Sequence, residues 1–159
     1  MIDAYLAFKK KNKNAPKFVL AGRKGWLYES IFERVKQYGI EDSVIFTGYV
    51  EEHEAPLLLN GALAFLFVSL YEGFGMPPLE AMACGTPVIT SKVSSLPEVV
   101  GNIALLVNPY SPEEITEAME KIYNDKELRS SLSQKGLKRA EEFTWDKSAK
   151  AIFSAIDSL

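Results

Sequence analysis

The chain has 159 residues, 47% of them apolar, 11% aromatic and 25% charged, which is ordinary for one globular domain of about 100–200 residues. With 18 basic and 21 acidic side chains, its net charge of −3 argues against binding nucleic acid by phosphate neutralisation. The single cysteine excludes an internal disulfide framework and a cysteine-rich metal site. No apolar run is long enough to cross a bilayer, and the start lacks the features of a signal peptide, so we expect a cytosolic domain.

Short β-rich runs alternate with helical patterns along the first two thirds of the chain. Residues 2–11 predict a helix with a basic end, and residues 17–21 predict a buried strand closed by Gly22. The next helix ends at Gly39 and has apolar residues near helical spacing, namely Trp26, Ile31, Val35 and Tyr38. Further strands are predicted at 44–46, 63–68, 87–90 and 104–107, with helices at 51–60 and 78–84. The run at 63–68 has the composition of a central strand buried on both faces.

The C-terminal part predicts three helices, each preceded by a capping residue. Ser111, Pro112 and Glu114 form a capping-box pattern before the first helix. Asp125 is expected to cap the second and Thr144 the third. The last helix carries an apolar stripe of Ala149, Ile152, Phe153 and Ile156.

Five strands that alternate with helices predict an α/β fold with a parallel sheet and right-handed crossovers. Such sheets bind ligands beyond the carboxyl ends of their strands. The loops that follow the five predicted strands are therefore the places to look for a binding site.

The richest of these loops runs from Ser69 to Glu80. Gly73 and Gly75 allow backbone N–H groups to approach a ligand, and the helix predicted from Pro78 directs its N-terminal amides to the same place, as an anion site requires. Two carboxylates, Glu72 and Glu80, flank this site. A carboxylate beside an anion site needs hydrogen-bond donors, and the hydroxyls of a sugar or ribose are such donors. The alternative is that Glu80 caps its own helix while Glu72 is solvated.

Two further loops have weaker signals. In the loop 22–25, Arg23 and Lys24 are bracketed by glycines and suit a diphosphate, although a plain surface turn is an equal alternative. Backbone groups of the loop 48–50 could contact a base edge. No phosphate-binding G-x-x-x-x-G-K-[ST] or G-x-G-x-x-G pattern is present, and no Asp-x-Asp pair, so we expect no metal in any sugar-nucleotide chemistry.

The segment from Tyr71 to Ile89, YEGFGMPPLEAMACGTPVI, resembles the signature of the family 4 (group 1) retaining glycosyltransferases of the GT-B fold. The segments 22–26, 46–50, 94–99 and 104–109 agree with the same family. The resemblance covers nearly the whole chain but only the C-terminal, sugar-donor-binding half of the family, a Rossmann-like domain. The residues that follow Gly22 are most similar to those of mannosyltransferase-like members.

The resemblance implies a role for each candidate residue. Glu72 would be catalytic, near the anomeric centre of the transferred sugar, and Glu80 would hold the ribose hydroxyls. The diphosphate would be neutralised by Arg23 or Lys24. Backbone groups would contact the phosphates or sugar at Gly73, Phe74, Gly75, Met76 and Leu79, and would frame the base at Gly48, Tyr49 and Val50. The sugar donor would be GDP-mannose, a UDP sugar or an ADP sugar, and the reaction would need neither cofactor nor metal.

Two parts of the family pattern are not matched in these residues. The N-terminal domain with the acceptor site is absent, and residues 1–11 already match the helix after the first strand. We therefore expect a slot in the sheet where that central strand would lie, between the strands at 17–21 and 63–68. The slot could be closed by collapse, by dimerisation or by a swapped strand.

The expected organisation is a partial sugar-nucleotide-binding domain at 1–143 with its C-terminal helix at 144–159. The full-length enzyme is expected in the cytoplasm or peripheral to the inner membrane, using a glycan or lipid-linked saccharide as acceptor. The alternatives are a sugar-nucleotide-binding module that is inactive in isolation and, with less support from the motif, a nucleotide-sugar epimerase.

Overall fold

The computed structural model describes residues 1–25 and 28–158, and Trp26 and Leu159 of the predicted helices lie outside them. Its strands are β1 (Phe18–Ala21), β2 (Val44–Gly48), β3 (Phe65–Phe67), β4 (Val88–Ser91) and β5 (Leu105–Val107). Its α-helices are α1 (Ile2–Lys11), α2 (Glu29–Gln37), α3 (Ala55–Gly61), α4 (Met76–Ala83), α5 (Leu96–Val100), α6 (Pro112–Asn124), α7 (Lys126–Ala140) and α8 (Trp145–Asp157).

The strands form two parallel sheets, which confirms the predicted α/β class. Strand β1 pairs with β2, and Phe18 lies opposite Val44. The second sheet has the order β3-β4-β5, with Phe65 opposite Val88 and Ile89 opposite Leu105. Before β1 the chain forms helix α1 and a turn. No strand lies there that would contradict the alignment with the family.

Between the two sheets lies the expected slot. Strands β1 and β3 are not hydrogen-bonded to each other in the part of the chain that the structure describes. A cavity of about 880 Å³ separates them and is lined mainly by apolar side chains of β1, β3, α3 and the buried face of α1. The sheet has therefore not collapsed to close the gap.

The slot accounts for two wrong predictions of burial. Strand β1 alternates between half-buried and exposed residues, with Val19 44% exposed, and β3 is half-buried throughout. The strand buried at every position is β4 instead. Both β1 and β3 border the slot, so their side chains lack the cover that an adjoining strand gives.

One hydrophobic core nevertheless joins the two sheets. It contains Phe8 of α1, Val44 of β2, Ile89 of β4 and Ile115 of α6. The hydroxyl of Tyr5 donates to the carbonyl oxygens of Pro16 (2.9 Å) and Ser43 (3.1 Å), which ties α1 to the starts of β1 and β2. Burial of this hydroxyl raises the pKa of Tyr5.

The predicted caps of the last three helices are confirmed. Backbone N–H groups donate to the side chains of Ser111, Asp125 and Thr144 at 3.2, 2.8 and 3.3 Å. The capping box is only half formed, because the Glu114 carboxylate contacts other residues than Ser111. The apolar stripe of α8 is exposed, with Phe153 at 66%.

Candidate functional site

The predicted loop between β3 and α4 lies at the carboxyl end of its strand, as expected. Helix α4 begins at Met76, two residues earlier than predicted, because Gly75 takes the N-cap position with φ of 116°. The next two residues, Pro77 and Pro78, have no N–H, so Met76 provides the only amide among the first three helical positions. The N-terminal end of α4 therefore faces the loop with few but defined donors.

The two predicted carboxylates lie on this loop and on the helix that follows it. Glu72 is half-buried and Glu80 is exposed. Since α4 begins at Met76, Glu80 is its fifth residue, beyond the first turn in which it was predicted. No side chain forms a hydrogen bond at the N-cap of α4, so Glu80 does not cap its own helix. Within the described chain, neither carboxylate forms a hydrogen bond or an ion pair with another residue.

The loops after β1 and β2 lie against each other. The N–H of Gly22 donates to the carbonyl oxygen of Gly48 at 2.9 Å. The Arg23 guanidinium lies 4.2 Å from the centre of the Tyr49 ring, a cation–π distance. Lys24 lies 5.2 Å from the Tyr28 ring. The predicted diphosphate loop and the predicted base loop thus form one surface that carries two cations.

The side chains of the remaining predicted residues differ in their exposure to solvent. Phe74, Met76 and Tyr49 are 44%, 49% and 54% exposed. The side chain of Leu79 is buried, so only its backbone can meet a ligand. Val50 and Glu80 both line the cavity of the slot. No ion pair joins Arg23 or Lys24 to Glu72 or Glu80 in the described residues.

Sequence reasoning missed the segment that holds the loop in place. The segment 94–96 follows β4, and its serine hydroxyls bond to backbone groups of Glu72 and Phe74. The segment also packs on Gly75, where an added Cβ would lie 2.8 Å from Cδ2 of Leu96. Two consecutive serines after a buried strand indicate hydroxyls that bond to backbone, but nothing in the local sequence indicates a partner 22 residues away.

A second contact at this edge of the sheet joins the loops after β4 and β5. The Glu114 carboxylate accepts from the backbone N–H of Asn108 (2.8 Å) and from Lys92 Nζ (3.0 and 3.1 Å). These contacts lower the pKa of Glu114. The hydrogen bond from Asn108 has the largest effect, followed by the one from Lys92.

Glu114 should therefore make stability depend on pH in the acid range. A lowered folded pKa stabilises the protein above the unfolded pKa of glutamate, about 4.3, and this contribution is lost as the pH falls through the folded pKa. We expect Tm to fall more between pH 6 and pH 3 (about the range of that titration) in the wild type than in Glu114→Gln. Glu117→Gln on the same helix is the control and should follow the wild type. Equal pH slopes for wild type and Glu114→Gln would contradict this role.

Comparison with known proteins shows which family the chain resembles. Residues 1–139 match the family model described as glycosyl transferases group 1. The O-antigen chain mannosyltransferase B of Escherichia coli is 34% identical over 146 residues, which are 92% of this chain and 38% of that protein. The chain thus spans well under half the length of this relative.

Solved structures show the same fold. Sucrose-phosphate synthase from Thermosynechococcus elongatus matches 99% of this chain and 41% of its own, with TM-score 0.83 and 27% identity. The C-terminal domain of a group 1 glycosyl transferase (LpcC) from Francisella tularensis matches 89% of this chain and 75% of its own, with TM-score 0.79 and 28% identity. On the extent of the family match and the shared fold, the chain belongs to the group 1 glycosyltransferases and corresponds to their C-terminal domain.

Proposed function

We propose that this chain is the sugar-donor-binding part of a retaining glycosyltransferase that uses a nucleoside-diphosphate sugar. The observation that carries the proposal is the pair Glu72 and Glu80 on either side of the Gly75 turn. Neither carboxylate has a partner among the residues that the structure describes. Two unpaired carboxylates beside the N-terminus of α4, where Met76 offers its amide, suit a ligand with hydroxyls at both ends and phosphates in the middle.

The second surface completes such a ligand site. Arg23 and Lys24, in the loop after β1, provide positive charge for the diphosphate. The Arg23 guanidinium lies against the ring of Tyr49, and the Lys24 ammonium lies near the ring of Tyr28. Glu80 takes the ribose, Glu72 the sugar near its anomeric carbon, and the loop 48–50 the base. Stabilising the departing diphosphate by fixed cations and amides is the main electrostatic contribution, and the proposal involves no metal ion.

Mannose is the sugar we propose, because an O-antigen mannosyltransferase is 34% identical to the chain. Its acceptor would be a glycan or lipid-linked saccharide, and the reaction would take place in the cytoplasm or at the membrane surface. None of the described helices is long and apolar enough to span a membrane.

A second candidate function is a sugar-nucleotide-binding module that has no transferase activity by itself. The length of the match favours it for this chain, since only 38% of the mannosyltransferase relative is covered. The acceptor site would then belong to residues outside these 159.

Calorimetric titration of the chain with GDP-mannose, UDP-glucose and ADP-glucose, with EDTA present, tests both candidates. We expect binding of one of these sugar nucleotides and weaker or no binding of free mannose. Release of the sugar from the bound nucleotide would favour the transferase reading for the chain itself, and binding without release would favour the module. Absence of binding for all three nucleotides would contradict both.

The slot between β1 and β3 supports a second proposal, namely that copies of the 159-residue chain associate through their open strand edges. In the described residues, β1 and β3 have no strand neighbour on the side of the slot, and an open edge beside apolar side chains is a template for pairing with another strand. Val19 of β1 lines the slot and is 44% exposed, whereas its cross-strand neighbour Ile45 is 46% exposed and does not line it.

We expect the wild-type chain to sediment partly as dimers or larger species and Val19→Lys to sediment as a monomer, because a lysine on an edge strand opposes strand pairing. Ile45→Lys is the matched control and should still associate. A monomeric wild type, or association that persists in Val19→Lys, would contradict the proposal. Circular dichroism of the three proteins would show that each is folded.

A further inference from the structure

Two serine hydroxyls of the segment after β4 hold the Glu72 loop through four hydrogen-bond contacts, two of which share the single proton of Ser95. Ser94 Oγ donates to the Glu72 carbonyl oxygen (2.6 Å) and accepts from the Glu72 N–H (2.9 Å). Ser95 Oγ lies 2.9 Å from the Glu72 carbonyl oxygen and 2.8 Å from that of Phe74. Both backbone groups of Glu72 are therefore held by these two side chains.

The hydroxyl of Ser94 is fully used. Besides its two bonds to Glu72 it accepts from the N–H of Ser95 at 2.6 Å, which fills its one donor and two acceptor positions. Ser94 is also the only non-glycine residue of the described chain with positive φ, at 57°. A strained backbone held by a saturated hydroxyl is a feature that clusters at functional sites.

None of these four contacts involves the Glu72 carboxylate. The two serines fix the main chain of Glu72 and leave both carboxylate oxygens without a partner among the described residues. The loop is thereby held in one conformation while its charged group stays available for a ligand.

The rest of the loop has independent support. Ser91 Oγ donates to the carbonyl oxygen of Ser69 at 2.6 Å, and Thr90 Oγ1 donates to that of Phe67 at 2.8 Å. Leu96 packs on Gly75. Loss of the Ser94 hydroxyl should therefore loosen Glu72 without unfolding the domain.

We propose that Ser94 and Ser95 are positioning residues that set the Glu72 carboxylate for contact with the sugar of the donor nucleotide, an inference that rests on the proposed function. They act through the Glu72 backbone and do not themselves touch the ligand. Their loss should weaken the contact with the sugar more than the contacts with the nucleotide, which involve Glu80, Arg23 and Lys24.

Ser94→Gly is the test variant, because glycine keeps the positive φ and removes only the side chain. Two measurements are made, the hydrogen-exchange rate of the Glu72 amide and the affinities for GDP, GDP-mannose, UDP and UDP-glucose. We expect exchange at Glu72 to rise about tenfold or more, as loss of a hydrogen bond predicts. The affinity for the bound sugar nucleotide should fall about tenfold, and that for its nucleoside diphosphate should change less than about threefold.

Ser148→Ala is the control, since this α8 hydroxyl forms a single 3.3 Å bond to Thr144 and should change neither measurement. Equal losses for the sugar nucleotide and the nucleoside diphosphate, or unchanged exchange at Glu72, would overturn the positioning role. A wild-type chain that binds no sugar nucleotide would overturn the proposed function and the ligand role of the serines. Exchange at Glu72 would still report whether the serines hold the loop, so the two failures are distinguishable.

Discussion

Replacing Glu80 with alanine is expected to weaken binding of the sugar nucleotide about 100-fold or more, because a carboxylate that accepts from two ribose hydroxyls loses two charge-assisted bonds that contribute about 1.5–3 kcal/mol each. Glu80 is exposed and outside the first turn of α4, so the substitution should leave the free energy of unfolding nearly unchanged. Calorimetric titration of the wild type and Glu80→Ala measures the difference directly.

A double-mutant cycle makes this prediction specific to ribose. The wild type should bind the 2′-deoxy form of the nucleotide more weakly than the ribose form, whereas Glu80→Ala should bind both forms about equally. Glu117→Ala, which deletes a carboxylate on α6, is the control and should behave as the wild type. Unchanged affinity in Glu80→Ala, or an unaltered preference for ribose, would contradict the assignment.

Replacing Gly75 with alanine is expected to lower the free energy of unfolding by about 2–4 kcal/mol, through a strained backbone together with overpacking. Gly75 has φ of 116°, and its added Cβ would lie 2.8 Å from Cδ2 of Leu96. Since Leu96 is fully buried, it cannot move aside without disturbing α5. Urea titration measures the loss, and binding of the sugar nucleotide should be lost with it because Gly75 forms the N-cap of α4.

Gly73→Ala is the matched control for Gly75→Ala. No described atom outside Gly73 and its two chain neighbours lies within 4 Å of the added Cβ, and φ is not positive. The substitution should therefore change stability by less than about 1 kcal/mol. Adding Leu96→Ala to Gly75→Ala should remove the clash but not the backbone strain. Equal effects of the two glycine substitutions would show that the close approach to Leu96 does not matter.

The sequence predicted the strands and the loops of the site because each depends on local chemistry. Apolar runs bounded by glycine place β1, β2 and β4 to within two residues, and Ser111, Asp125 and Thr144 are recognisable caps because their hydrogen bonds are local. The open slot was also predictable, since it follows from which elements of the family pattern the chain contains.

The burial of individual strands and the support of the loop were not predictable, because both depend on contacts between distant parts of the chain. The run at 63–68 is as apolar as a central strand, yet β3 is only half-buried because it borders the slot. Ser94 and Ser95 lie 22 and 23 residues from Glu72, and a positive φ at serine has no signature in the sequence. The start of α4 was misplaced because Pro77 and Pro78 can occupy its first turn.

A two-dimensional ¹⁵N NMR titration of the chain with GDP-mannose and UDP-glucose would show directly whether the Glu72 loop binds the sugar donor. We predict the largest chemical-shift changes at the amides of the loops 22–25, 48–50 and 72–76 and at Leu79, at the carboxyl ends of β1, β2 and β3. Changes confined to residues of the slot or of α6 and α7, with none in the Glu72 loop, would contradict the claim that this loop binds the sugar donor.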